Sequence, residues 1–309
     1  MTPEDVTRER LALEHPEACA PPADEHESGN RGQLNDLSGT EWIKLTKSWF
    51  ICDSRRYHRN RGTELHPARY PEEMVAQFLE FFTPNAGWVL DPFCGSGSTL
   101  VSCAENGRHG VGVELSERYA QIAAARLEGL APLVSVINAD ARKMAEPSFW
   151  DALGAGPERD QKGLPQFDFI MTSPPYWDML RNSRGGVESS QKLRAKKGLD
   201  THYTESPDDL GNVQDYDEFV EALGGVFDIC ARLIKPGKYL VCVAQNCRTG
   251  QGDVRPLAWD LARRISRSLS FQGERIWCQN SKKLGIWGFP SVFVPNYHHH
   301  YCLIFRRQA

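Results

Sequence analysis

The sequence predicts an α/β fold built on a mostly parallel sheet. Three observations carry that prediction. From residue 88 onward, short apolar runs of strand length alternate with longer segments of helical periodicity. The first apolar run breaks into the glycine-rich turn Cys94-Gly95-Ser96-Gly97. The last two runs follow one another with no helix between them, so the sheet should close on an antiparallel pair.

The elements follow in order. Residues 1–38 are rich in Pro, Glu, Asp, Ala, Gly and Asn and offer nothing to build a core, which predicts a disordered acidic tail. Residues 1–40 hold nine acids and three bases, a net −6, so the rest of the chain carries +2 against an overall −4. Such a body is not a generally basic nucleic-acid binder, but its cations are clustered. Seven Lys/Arg stand against three acids over 41–70, and six against two over 181–200. Two basic segments on a near-neutral body can form a footprint for phosphates, or equally a solvated surface.

Trp42 to Phe50 interleaves aromatics with lysines, a pattern that fits either nucleic-acid stacking or an amphipathic strand packed on the domain. Arg55, Arg56, Arg59 and Arg61 follow in a loop-like stretch and are candidate DNA contacts. Pro71-Glu72-Glu73 suits a first helical turn, where proline needs no N–H and acids suit the dipole. Met74, Val75, Phe78, Leu79 and Phe82 then recur at helical spacing.

Strand one is read at Trp88–Phe93, with a helix over Ser98–Asn106. Strand two at His109–Val113 ends in Glu114, a helix covers Glu117–Leu130, and strand three at Leu133–Ile137 runs toward Asp140. Strand four is the nearly all-apolar run that starts at Phe167, includes Thr172 and runs into the prolines after Ser173, a run suited to burial on both faces. Residues 178–214 lack clear periodicity and hold Arg181, Arg184, Lys196 and Lys197, which predicts a basic loop that engages DNA. A helix over Asp215–Ile234 precedes strand five (Tyr239–Ala244), and a helix over Val254–Ser268 separates it from strand six (Phe271–Gln279). Strand seven is Tyr301–Phe305.

Two motifs carry the chemistry. The first is Asp91-Pro92-Phe93-Cys94-Gly95-Ser96-Gly97-Ser98-Thr99, whose glycines let the backbone approach a ligand and whose helix N-terminus suits an anion. It is not the dinucleotide fingerprint, because Leu100 stands where the third glycine would be. The second is Ser173-Pro174-Pro175-Tyr176 at the end of strand four. Consecutive prolines cannot donate to a ladder and leave carbonyls free. A short hydroxyl, a free carbonyl and a flat ring make a receptor for a planar amine, with its hydrogens on Ser173 Oγ and the Pro174 carbonyl and its ring against Tyr176.

Together these motifs resemble those of the DNA amino-methyltransferases, which move a methyl group from S-adenosylmethionine (SAM) to N4 of cytosine or N6 of adenine. The resemblance covers roughly residues 40–309 and implies a seven-stranded, mostly parallel, Rossmann-like SAM-dependent methyltransferase fold with an antiparallel final strand, over residues 39–309. It implies that Asp91, Phe93, Cys94, Gly95, Gly97, Thr99, Glu114 and Asp140 bind cofactor, Glu114 through the ribose hydroxyls and Asp140 through the adenine amine. Ser173, Pro174, Pro175 and Tyr176 would form the catalytic loop. His66-Pro67-Ala68-Arg69-Tyr70-Pro71 is similar to a segment that walls the methionine end of the cofactor in that family.

Serine at the first position of the catalytic loop looks like the cytosine-N4 group, with adenine-N6 methylation of DNA or amino-methylation of RNA as alternatives. The implied partners are duplex DNA with a flipped base and, by analogy, a cognate restriction endonuclease. Carbon-5 methylation of cytosine is disfavoured, since its cysteine nucleophile usually follows a proline and no Pro-Cys pair occurs. The histidines 298–300 invite a metal reading, but adjacent residues on a strand point to opposite faces and do not converge easily on one ion. Nine scattered cysteines without a pairing framework read as reduced residues of a cytoplasmic protein, and no apolar run approaches the roughly 18 residues of a membrane span.

Overall fold

The computed structural model describes residues 34–53, 70–130, 134–177, 209–249, 253–282, 284–286 and 288–309. Its centre is a sheet of eight strands: β1 (Trp49–Ile51), β2 (Trp88–Asp91), β3 (His109–Glu114), β4 (Val134–Asn138), β5 (Phe167–Thr172), β6 (Ile234–Ala244), β9 (Ser270–Cys278) and β10 (His299–Arg306). Their order is β1-β9-β10-β6-β5-β2-β3-β4. Strands β7 (Cys247–Arg248) and β8 (Val254–Arg255) form a separate two-stranded pair.

The seven strands read from the sequence are all present, and β10 runs antiparallel to both β6 and β9. The eighth is a correction to the expected seven. The three residues of β1 pair in parallel with the end of β9, from Trp49 opposite Ile276 to Ile51 opposite Cys278. They cover what would otherwise be an open sheet edge. The stretch just before it is a helix, α1 (Gly39–Leu45), rather than strand. Ser38 and Glu41 form a capping box that starts this helix, and Trp42 packs on Phe81 with ring centroids 4.6 Å apart.

Of the expected acidic tail, residues 1–33 lie outside the described residues, and residues 34–38 are placed. Asn35 is buried and donates to the Phe81 carbonyl, while Asp36 accepts from the Asn85 N–H at 3.1 Å. These contacts tie residues 35 and 36 to α2 (Glu72–Phe82) and its exit.

The sheet is buried on both faces, which is why its central strands read as continuous apolar runs. On one face Val89, Phe169, Met171, Val241 and Val243 pack with Phe78, Leu79 and Phe82 of α2. On the other, Leu90, Ile170, Leu240 and Cys242 meet Phe219, Leu223, Val226 and Phe227 of α5 (Tyr216–Leu233) and Leu257 and Leu261 of α6 (Leu257–Ile265). Adjacent residues of one strand thus serve opposite cores, as a two-residue period requires.

Helix α5 starts where Asp215 caps the Asp217 and Glu218 N–H groups. It passes directly into β6, whose pairing with β5 skips from Phe167–Ile234 to Phe169–Tyr239. Residues 235–238 therefore bulge out, turned by Gly237 at φ +77°. Strand five was expected only from Tyr239; the Lys-Pro-Gly stretch that breaks the helix is absorbed as this bulge. Helices α3 (Ser98–Glu105) and α4 (Glu117–Leu127) follow β2 and β3.

Between β4 and β5 two short 3₁₀ helices, Ala141–Ala145 and Pro147–Ala152, bury Met144 and Trp150. Among the described residues no helix is long and apolar enough to cross a membrane.

Candidate active site

Parallel strands place all their C-terminal ends along one sheet edge, and both motifs lie there. Asp91 closes β2, Glu114 closes β3, and Thr172 closes β5 directly before Ser173. Strands β2 and β5 are hydrogen-bonded neighbours, so the cofactor-type turn and the proline loop stand side by side.

Asp91 holds this edge together. It is fully buried, and its Oδ1 accepts from Thr172 Oγ1 at 2.6 Å and from the Phe93 N–H at 3.1 Å. Its Oδ2 accepts from the Tyr70 hydroxyl at 3.1 Å and from Thr99 Oγ1, and Tyr70 and Thr99 are themselves 2.6 Å apart. Burial raises the Asp91 carboxyl, with the donors Thr172, Thr99, Phe93 and Tyr70 opposing that rise. One carboxylate thus joins four segments: the turn before α2, strand β2, helix α3 and the catalytic strand.

The turn after Asp91 is shaped for close approach. Gly95 and Gly97 adopt φ of +52° and +79°, which only glycine holds without strain. Gly97 is the N-cap of α3 and supplies no side-chain cap. Glu114 braces the turn, its Oε2 accepting from the Gly95 N–H at 2.8 Å and its Oε1 from the Ser116 N–H at 2.8 Å. Burial pushes the Glu114 carboxyl up to about 7; those two N–H groups oppose the rise and the charges of Asp91 and Asp209 add to it. Cys94 lies beneath the turn, where burial raises its thiol well above the ordinary range. A side chain at Gly112 would stand 2.7 Å from Cys94 Sγ, so the turn needs glycine on the neighbouring strand.

The rear of the turn is clamped by Arg126 of α4, which donates to the Ser96 carbonyl and pairs with the buried Glu72. Ser98 Oγ donates to the same Glu72 carboxylate at 3.1 Å.

Ser173 is half-buried, with its Oγ 3.3 Å from the Tyr176 hydroxyl. That hydroxyl also donates to the Val243 carbonyl of β6 at 3.3 Å, so the Tyr176 ring is buried and anchored. Trp177 is half-buried, packs edge-on against Tyr216 at 5.2 Å between centroids, and has an indole N–H with no partner.

Of the residues expected from sequence, Asp91, Phe93, Cys94, Gly95, Gly97, Thr99 and Glu114 therefore gather around one turn, with Ser173 to Tyr176 on the next strand. Asp140 lies on the same edge beyond β4, but its carboxylate caps a 3₁₀ helix and is held by Arg142 at 2.6 Å. Burial raises that carboxyl, and the Arg142 hydrogen bonds and charge outweigh it to give a net lowering. Arg55, Arg56, Arg59, Arg61, Arg181, Arg184, Lys196 and Lys197 lie outside the described residues. The far end of the expected basic loop is placed: Asp209 and Leu210 are buried at the start of a 3₁₀ turn.

Two site residues escaped the sequence reading, Thr172 and Arg126. Thr172 was legible only as a strand residue, and Arg126 carried no motif. Tyr70 was read as a wall of the site, yet its hydroxyl bonds Asp91. The histidine tract does not form a ligand set. His298 turns both ring nitrogens to backbone carbonyls, His299 lies 3.3 Å from the Tyr301 hydroxyl, and His300 stacks on Trp277. Among the described residues no three or more His, Cys, Asp or Glu side chains gather around a potential metal position.

The arrangement is a glycine turn leading into an uncapped helix N-terminus, beside a proline loop on the neighbouring strand. Residues 23–125 match the family model of the DNA methylases that act on N6 or N4. The chain is 41% identical over 63 residues to the type II methyltransferase M.ScaI of Streptomyces caespitosus, an alignment covering 20% of this chain and 21% of that enzyme. It is equally 41% identical over 64 residues to the type II methyltransferase M.Cfr9I of Citrobacter freundii, covering 21% of each. The matched segment thus spans about a fifth of these relatives. Among solved structures, TrmN of Thermus thermophilus is similar over 76% of this chain and 48% of its own, with a TM-score of 0.42 and 15% identity.

Over residues 23–125, about a third of the chain, the sequence is thus similar to the N6/N4 DNA methylases, a grouping that does not separate the two target positions. That match implies S-adenosylmethionine as the cofactor. The residues present fit it. The N-terminus of α3 has no side-chain cap, and Ser96 Oγ is buried in the turn without a hydrogen-bond partner. Glu114 uses two of the roughly four acceptor positions of a carboxylate on backbone N–H groups, leaving two for a ribose diol.

Proposed function

We propose that the protein transfers a methyl group from SAM to the exocyclic N4 of cytosine in duplex DNA, after the base has left the stack. The observation that supports this reading best is the hydrogen bond from Thr172 to Asp91. It ties the first residue before the Ser-Pro-Pro-Tyr loop to the carboxylate that opens the cofactor turn. An acceptor loop and a methyl-donor site are thereby held on adjacent strands, about 4.8 Å apart at the backbone.

When bound, SAM supplies an electrophilic methyl on a sulfonium, a good leaving group, so the protein's task is positioning. Gly95, Gly97 and the N-terminus of α3 would receive the anionic end, and Glu114 would accept from the ribose hydroxyls. Ser173 Oγ and the Pro174 carbonyl accept the two amine hydrogens. Those bonds favour a more tetrahedral nitrogen and free its lone pair from the ring for attack on the methyl carbon. The methyl donor would leave as a neutral thioether, and the proton released from the methylated nitrogen would pass to solvent. The bond from Tyr176 to Val243 fixes the ring against which the base rests, so its orientation is set before the base arrives. Extrusion of the base costs about a few kcal/mol, offset by such stacking.

Adenine N6 is the second reading. Ser173 at the first loop position, where adenine enzymes more often carry Asp or Asn, favours cytosine.

The test is mass spectrometry of nucleosides from the DNA of cells that express the protein, with a Ser173→Ala variant as control. N4-methylcytosine that disappears in the variant is the expected result. N6-methyladenine would select the second reading, and no methylated base in DNA would refute both.

A further inference from the structure

The connection between β9 and β10, residues 279–298, turns a cluster of apolar side chains outward, beside the exposed Asn280, Lys282 and Ser291. Phe293 and Ile286 are each 87% exposed, Phe289 82%, Leu284 79% and Val292 60%. Single exposed apolar residues need no explanation, but five within ten residues do.

The loop is also internally braced. Asn296 clasps Gly285 twice, its Oδ1 accepting from the Gly285 N–H and its Nδ2 donating to the Gly285 carbonyl, both at 2.9 Å. The N–H groups of Ser291 and Val292 return to the Gly288 carbonyl at 2.8 and 2.7 Å. Gly288 sits at φ +70°, where a side chain would meet the Val292 carbonyl at 2.1 Å. The Ser281 N–H is held by Asp53 at 2.8 Å, and the Gln279 N–H by the His298 carbonyl at 2.7 Å. Apolar side chains displayed on so braced a backbone are presented to something.

The register says where. Tyr301 pairs with Ala244 and His299 with Cys278, so the loop leaves the sheet at the edge where Thr172 pairs with Cys242. Strand β10 is two places from β5, about 10 Å away at sheet spacing. The roots are joined: Tyr176 reaches Val243, and two residues on Gln245 Nε2 donates to the His299 carbonyl at 2.6 Å. Across residues 279–298 there are two lysines and no acid, so a polyanion meets no repulsion.

We propose that this loop is a wedge for duplex DNA, with Phe289, Phe293 and Ile286 filling the gap left in the stack when the target base enters the Ser173 site. The inference rests on the DNA methyltransferase reading above. Apolar side chains inserted between base steps offset lost stacking. The wedge stands on the same edge as the acceptor loop because the base leaves and the side chain enters at one place.

The test compares methyl incorporation from labelled SAM into a double-stranded plasmid and into the same plasmid after heat denaturation. It uses wild type, the Ile286→Ala/Phe293→Ala double variant, and Phe293→Leu. The double variant should lose about tenfold or more on duplex, the equivalent of ~1.4 kcal/mol, and less than about twofold on denatured DNA. Phe293→Leu should keep most duplex activity. These side chains are exposed, so their removal leaves the core intact.

Equal losses on both substrates, or no loss on duplex, would overturn the wedge. So would a wild-type oligomer that dissociates in the double variant, since the loop would then bind a second copy of the chain. A wild type that methylates neither form of DNA would refute the methyltransferase reading and the wedge with it.

Discussion

The substitution Thr172→Val tests the link on which the site depends. Valine has nearly the shape of threonine, so the packing of β5 is kept and only the hydroxyl is lost. That hydroxyl donates at 2.6 Å to a carboxylate inside the core. A hydrogen bond to a charged group contributes about 1.5–3 kcal/mol. Asp91 keeps Phe93, Thr99 and Tyr70 as donors, so the loss should fall at the lower end, about 1.5 kcal/mol. For a domain of this size that is roughly 3–6 °C in melting temperature.

The sign with pH follows from Asp91. Its folded carboxyl is already raised by burial, with Thr172 the leading opposing donor. A raised carboxyl contributes stability that is full below its unfolded value and lost as pH rises through its folded value. Removing Thr172 raises the folded value further, so the variant should suffer more at pH 8 than at pH 5. Thermal unfolding at both pH values measures this, and calorimetric titration with SAM should show weaker binding in the variant. A deficit that is absent, or the same size at both pH values, would refute the claim that Thr172 serves an ionised Asp91.

Two further outcomes follow from the turn. Glu114, raised to about 7 by burial, costs the ligand-free protein stability as pH rises from the ordinary carboxylate range through 7. Ribose hydroxyls would favour its ionised form, so SAM should bind more tightly at pH 8 than at pH 6, and Glu114→Gln should remove that slope in calorimetric titrations. Gly112→Ala would bring a methyl to 2.7 Å from Cys94 Sγ and 2.8 Å from both Cys94 Cβ and Leu100 Cδ1. It should cost about 1–3 kcal/mol in thermal unfolding and weaken SAM binding. Gly110→Ala, which would meet a flexible Leu100 Cδ2 methyl at 2.9 Å and Cys103 Cβ and Sγ only at 3.4 Å, should cost less on both counts.

How much of this was legible in the sequence depended on whether the signal was local. The Asp91–Thr99 turn and the Ser173–Tyr176 loop announce themselves because the chemistry of each is packed into a few consecutive residues. Local grammar also held what was overlooked. Ser38-Gly39-Thr40-Glu41 is a capping-box signature, and it converts a stretch with aromatic alternation into helix α1. The three-residue strand β1 had no such signature. It is strand only because β9, more than 220 residues later in the chain, offers an edge beside it. The same holds for Tyr70, Thr172 and Arg126, whose partners are 21, 81 and 54 residues away. A hydroxyl inside an apolar run reads as a strand residue until the carboxylate opposite is known.

The two motifs are strong signals separately, but the fold makes them a single device. Asp91 is too deeply buried, and too fully occupied by protein donors, to act as a freely disposed ligand carboxylate. Its carboxylate instead fixes the relative position of the turn after β2 and the proline loop after β5, and on the proposed reading Glu114 and the uncapped α3 terminus would face the cofactor. The bond from Tyr176 to Val243 extends the same logic one strand further, and that from Gln245 to His299 carries it to the root of the apolar loop. From β3 to β10, the turn, the proline loop and the root of the apolar loop are thus linked by hydrogen bonds that cross between neighbouring segments. Transfer between a sulfonium and a weakly nucleophilic amine gains most from such fixed geometry, because little chemistry beyond alignment is left for the protein to supply.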